Sequence, residues 1–195
     1  MKLLLFLIST IALAPIATIA QTFIGGSDIV PSTSLPATSP FSIDQIADGI
    51  GLNSDPYPWN GFVSGATAGT ITLDLVGNFD LASFVLANDI NVAAEGIKDF
   101  RLDFFDASDV FITSSGIFVG PLGQVAAQSY NFDTVNNVSR VDLVILNCNP
   151  DTWNQIEIRE VGFGTPPAVP EPSSALLGTI GIFGLLLRKR YATKV

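Results

Sequence analysis

Between Phe41 and Gly164 the apolar residues recur with a period of two, and no stretch keeps the 3.6-residue period of a helix. That alternation belongs to strands with one buried and one wet face, and it constrains the fold more than any other feature of the chain. Thr70-Ile71-Thr72-Leu73-Asp74-Leu75 alternates cleanly and runs into Gly77-Asn78, a turn signal. Phe79 to Ala87 is more continuously apolar and reads as an internal strand. Ile97 to Phe104 sets Phe100, Leu102 and Phe104 on one face, with Arg101 and Asp103 on the other. Val110–Thr113 and Ile117–Val119 flank Ser114-Ser115-Gly116, which predicts a hairpin. Tyr130–Phe132, Arg140–Leu146 and Gln155–Phe163 complete the set. Seven or more short strands separated by Gly, Asn, Asp and Ser predict an all-β domain over residues 41–164, an antiparallel sandwich or barrel large enough to fold alone.

Both ends of the chain read as processing signals and stand outside that domain. Lys2 precedes an apolar run from Leu3 to Ala14, and Thr18-Ile19-Ala20 offers small residues where a signal peptidase cuts. The run is short against the ~20 residues of a spanning helix, so residues 1–20 are expected to be a cleavable signal peptide rather than an anchor. Residues 21–40, rich in Pro, Ser and Thr, are expected to be a flexible lead-in. Residues 165–174 form a proline-dense linker, unsuited to helix or interior strand. Ala175–Leu187 is apolar, and Arg188-Lys189-Arg190 follows at once, which fixes that flank in the cytoplasm. Val169-Pro170-Glu171-Pro172, apolar helix and basic cluster, in that order, resemble the PEP-CTERM sorting signal of Gram-negative bacteria. The resemblance covers about the last 27 residues and implies processing by an exosortase-type enzyme. The alternative for residues 175–195 is a simple C-terminal anchor on a proline stem.

Charge and missing residue types narrow the function. Four of the nine basic residues and all 18 acidic ones lie between Gln21 and Pro172, which leaves that segment 14 charges negative. Binding to nucleic acid or anionic lipid needs basic side chains on phosphates and is excluded on these grounds, so contact with a membrane is expected only through the C-terminal helix. Oxygen ligands from Asp, Asn and backbone carbonyls suit Ca²⁺ instead. Cys148 is the only cysteine, so no intrachain disulfide can form, and a buried thiol is expected. The absence of histidine removes Ser-His-Asp and Cys-His catalysis and the usual zinc sites. Asn137-Val138-Ser139 matches a glycosylation sequon that arises easily by chance, and Asp103, Asp106 and Asp109 read as a solvated face.

Asp48-Gly49 followed by Trp59, then Ile71-Thr72-Leu73-Asp74-Leu75, resembles the opening of the discoidin, or F5/8 type C, domains. Gly96 to Asp106 is similar to that family's middle strand and following turn, and Ile156-Glu157-Ile158-Arg159-Glu160-Val161 to its closing strand. The resemblance implies a galactose-binding-like jelly roll with a structural Ca²⁺ where the first loop meets the last strand. By position, its ligands would be Asp48, Asn53, Asp55 and Glu160. The alternative is a loop whose Asp and Asn side chains cap its own backbone. The resemblance also implies ligand binding by loops at one end of the sandwich. A sugar site wants an aromatic platform with fixed polar groups, and Tyr57 and Trp153 are the candidates, while Trp59 is expected in the core.

The expected function is therefore that of an exported, non-catalytic protein of the cell envelope, surface or extracellular matrix that binds carbohydrate such as exopolysaccharide. Two alternatives remain open at this level: an adhesive module that contacts proteins, and a small hydrolase built on paired carboxylates.

Overall fold

A computed structural model of the chain describes residues 21–49, 60–88, 96–120, 127–150 and 154–167. The expected signal peptide and sorting helix lie outside the described residues. Residues Gln21–Pro166 form one compact unit.

Two long strands carry the architecture. Strands β4 (Gly69–Asn88) and β8 (Gln128–Cys148) pair antiparallel from Gly69↔Ile145 to Asp74↔Arg140, slip register, and resume from Phe79↔Val138 to Leu86↔Gln128. The slip bends the ribbon so that its two halves enter two facing layers. Gly77 takes a positive φ of 134° within the bend, and Asn137 one of 56°, with its backbone N–H donating to the Asp80 carboxylate at 3.0 Å. Gly77-Asn78 is thus a bulge inside one strand, where the sequence predicts a turn between two. Glycine and asparagine are favoured at both for the same reason, tolerance of positive φ.

One layer contains β2 (Ile29–Ser32), the first half of β4, the second half of β8, and β5 (Ile97–Phe105). Strands β6 (Phe111–Ser114) and β7 (Phe118–Val119) lie end to end along the outer edge of β5. They do not form the hairpin expected around Ser114-Ser115-Gly116. Ser115 spans the gap instead, its N–H donating to the Leu102 carbonyl (2.8 Å) and its hydroxyl accepting from the Leu102 N–H (2.9 Å). The second layer contains the first half of β8, the second half of β4, and β9 (Ile156–Gly164), which also pairs with β1 (Phe23–Ile24) and β3 (Phe62–Ser64).

The core lies between the layers. Phe100, Leu102 and Phe104 are fully buried on one face of β5, as the alternation predicts. They meet residues of the opposite layer: Phe100 lies 5.8 Å from Phe84 and 5.0 Å from Tyr130, and Phe104 lies 5.1 Å from Phe132, ring centre to ring centre. Each such side chain contributes roughly 1.5–3 kcal/mol by leaving water.

Residues 21–40 are not a lead-in. β1 and β2 add to the two layers, and Ile24 and Ile29 are buried in the same core. Strands of two and four residues carry too little periodicity to be read beside so many Pro and Ser. The three aspartates expected to form a solvated face each hold a local partner: Asp103 takes Arg101 and Ser114, Asp106 caps the N–H groups of Ser108 and Val110, and Asp109 pairs with Arg140.

Candidate functional site

Strand β9 would alternate strictly if its ladder were regular, but a register shift against β4 at Ala87/Asn88 breaks the phase. Ile156 and Ile158 enter the core before the shift, Val161 and Phe163 after it. All nine residues of β9 are buried, Glu160 fully so. Packed against β9 is a short 3-10 turn, Ile43–Ala47, opened by a capping box in which Ser42 N–H donates to Gln45 Oε1 at 3.2 Å. The turn ends at Asp48 and delivers Gly49 to the strand, where the Gly49 N–H donates to Glu160 Oε1 at 3.1 Å.

The other oxygen of that carboxylate, Glu160 Oε2, is buried and meets no donor among the described residues, with the Asp48 carboxyl within hydrogen-bonding reach of the Glu160 carboxyl. Burial pushes the Glu160 carboxyl up to about 8; the Gly49 N–H opposes the rise, and the neighbouring Asp48 carboxylate adds to it. Asp48 is itself exposed and accepts from Asn60 Nδ2 at 3.1 and 3.3 Å. The Asn60 carbonyl accepts from Arg159 Nη1 at 2.9 Å, and the guanidinium sits 5.6 Å from the centre of the Phe41 ring. Gly61 follows with φ 125°, and a Cβ there would run into the Ile158 carbonyl, so only glycine lets the chain pass this close to β9. Residues 49 and 60, which flank segment 50–59, are therefore both fastened to β9.

Two carboxylates beside each other, one with an orphaned buried oxygen, form an arrangement that a hard divalent cation would satisfy. The structure brings Asp48 and Glu160 together. Asn53 and Asp55 lie outside the described residues, as do Tyr57, Trp59 and Trp153. Among the described residues no group of three acidic, Cys or His side chains is assembled.

A second polar cluster lies at the end of the sandwich from which segments 89–95, 121–126 and 151–153 depart. The Asn88 side chain, 2% exposed, behaves as a piece of strand: Nδ2 donates to the Ile97 carbonyl at 2.7 Å and Oδ1 accepts from the Ile97 N–H at 2.9 Å. It closes segment 89–95 at its base. Gly96, at φ 78°, leaves room for Asn88 Oδ1, and its carbonyl accepts from the Asn149 N–H at 3.0 Å. Gly120 is equally confined, between Asn88 Nδ2 and the Ile97 carbonyl, and its N–H donates to the Lys98 carbonyl. Asn88 thus closes segment 89–95, and the backbone bonds of Asn149 to Gly96 and of Gly120 to Lys98 hold the stems of the other two segments beside it. Sequence reasoning missed Asn60 and Asn88. The signal for Asn88 is a polar amide closing a long apolar strand just before a turn, which reads equally well as a turn residue.

Solved structures share this fold. A family 32 carbohydrate-binding module from Clostridium perfringens NanJ, in complex with galactose, matches with a TM-score of 0.60 at 12% identity, covering 74% of this chain and 99% of that one. The family 32 module of Streptococcus pneumoniae EndoD gives 0.57 at 15% identity, covering 74% and 100%. A fucose-binding module from S. pneumoniae gives 0.58 at 12% identity, covering 74% and 98%. The domain shares the all-β jelly-roll fold of these modules. Residues 168–190 match the PEP-CTERM protein-sorting motif, which the chain therefore carries behind its β-domain. No curated protein matches the sequence.

Proposed function

We propose that this chain is an exported, non-catalytic glycan-binding protein of a Gram-negative bacterium. Its sorting motif delivers it to the cell surface or extracellular matrix through an exosortase-type enzyme. The observation that carries the reading is the match of the sandwich to nearly the whole length of several sugar-binding modules, on a chain that also bears a sorting motif. The neighbours are binding modules, and fold alone does not choose the ligand. The net charge does restrict it: a segment 14 charges negative repels acidic polysaccharides, so a neutral glycan is the fitting class. The three segments 89–95, 121–126 and 151–153 supply the binding end, with Trp153 from one of them and Tyr57 from segment 50–59 as the aromatic contacts.

A structural Ca²⁺ held by Asp48 and Glu160, with Asn53 and Asp55 from the intervening segment, completes the reading. Bound there, the ion supplies positive charge that neutralises the Asp48–Glu160 pair. The chain's own part is to hold the two ends of segment 50–59 against β9, through Gly49 on Glu160 and Asn60 on Arg159.

Pull-down of residues 21–166 on neutral and acidic polysaccharides, with Ca²⁺ present, tests the proposal. Retention on a neutral, galactose- or fucose-bearing matrix is expected. No retention on any glycan would remove it.

A further inference from the structure

We propose that the β6–β7 flank is a self-association surface, through which two copies of this chain pair edge to edge. Five of the eight large apolar side chains exposed among the described residues fall within one ten-residue stretch: Val110 (59%), Phe111 (54%), Ile112 (39%), Ile117 (65%) and Val119 (65%). All four residues of β6 are exposed. Among the described residues β6 and β7 each pair with β5 alone, so their outer backbone groups face away from the sheet. Such an edge is a template for another strand; β6 and β7 are short, four and two residues, but Val110–Val119 carries none of the Lys, Pro or inward-pointing charge that also blunts an edge.

Charge selects the occupant. From Val110 to Phe132 the chain has no Asp, Glu, Lys or Arg, within a segment that is otherwise 14 charges negative. Two such bodies repel wherever carboxylates face each other, and the flank itself, Val110–Val119, bears no charge, so they can meet through it. A basic partner would be drawn to the acidic remainder of the surface instead. Strand β6 also suits its own two-fold copy. Antiparallel pairing centred on Ile112 sets Phe111 opposite Thr113, Val110 opposite Ser114 and Asp109 opposite Ser115, so no two carboxylates are apposed. Asp109 is already held by Arg140 at 3.0 Å. An isologous contact of this kind closes at two copies. It also doubles the number of glycan sites presented together, although the pairing itself does not depend on glycan binding.

The test is sedimentation equilibrium of residues 21–166, which form one compact unit containing every described core residue. The mass should climb from monomer towards dimer as concentration rises through the micromolar range. Added NaCl should strengthen dimerisation severalfold, because it screens the repulsion of the bodies and leaves the neutral contact intact. Ile112→Lys and Val110→Lys, each introducing a charge on the exposed edge, should remain monomeric with an unchanged circular dichroism spectrum. A wild-type monomer at every concentration overturns the proposal. So does a dimer that survives both substitutions, one that salt weakens, or a monomer whose flank instead binds neutral phospholipid vesicles in a manner abolished by Ile112→Lys.

Discussion

The Asp48–Glu160 seam and the β6–β7 flank invert the usual distribution of polarity in opposite directions. At the seam a carboxylate is fully buried next to another carboxylate; on the flank five large apolar side chains stand in water. Each arrangement is unfavourable in the isolated domain, and each would be relieved by the partner proposed for it: a cation at the seam, a second copy at the flank. The first should therefore appear in pH and calcium dependence, the second in concentration and salt dependence. Ordinary core residues such as Phe100 would respond to none of these.

The pH response should be the largest effect. The Glu160 carboxyl, about 8 in the folded protein against an ordinary 4.5, keeps its proton in the folded state across a window where the unfolded chain has lost it. Stability contributed by this group is thus full below pH 4.5 and is lost as pH rises towards 8, by up to about 1.4 kcal/mol per pH unit. In calcium-free buffer, denaturant titrations of wild type should show this fall, and Glu160→Gln should flatten it. Calcium should come next. At a concentration a hundredfold above its dissociation constant it adds about 2.7 kcal/mol by mass action, an increase of about 8 °C in melting temperature for a domain of this size. Scanning calorimetry should find that increase in wild type and none in Glu160→Gln.

Asn88→Ala leaves both the N–H and the carbonyl of Ile97 without their buried partner and should destabilise the domain by about 2–3 kcal/mol in chemical denaturation. Hydrogen exchange should rise at Ile97 and at the base of segment 89–95, while the seam is unaffected. Ile112→Lys should change stability by no more than about 0.5 kcal/mol, since its side chain is on the surface, while abolishing the dimer. Smallest of all, Cys148 should not react with iodoacetamide at pH 8 in the native protein: its thiol is buried in the core, and burial pushes it up to about 12. Rapid labelling would mean that the end of β8 opens readily.

Much of the sandwich is legible in the sequence because half-burial writes itself as alternation, and β5 shows this residue by residue from Phe100 to Phe104. What alternation does not encode is the partner. β6 and β7 have the pattern of a hairpin, yet β5 is long enough to take both in tandem, and the choice depends on Ser115 reaching Leu102. Gly77-Asn78 and Asn137 mark the bends of β4 and β8, but a bulge and a turn ask for the same residues. β1 and β2 escape notice because Ile24 and Ile29 are single anchors among Pro and Ser. At the site, Asp48 and Glu160 were accessible through family resemblance alone, since 111 residues separate Gly49 from its acceptor. Neither Asn60 nor Asn88 differs by composition from a loop asparagine; only the folded chain shows what each one holds.

Isothermal titration of residues 21–166 with galactose- and fucose-terminated oligosaccharides, in Ca²⁺ and again in EDTA, tests the central claim most directly. The account predicts saturable binding to at least one neutral sugar, weakened when calcium is removed and weakened again in Asn88→Ala. Absence of heat with every neutral sugar, from a domain that is folded and calcium-loaded, would contradict it.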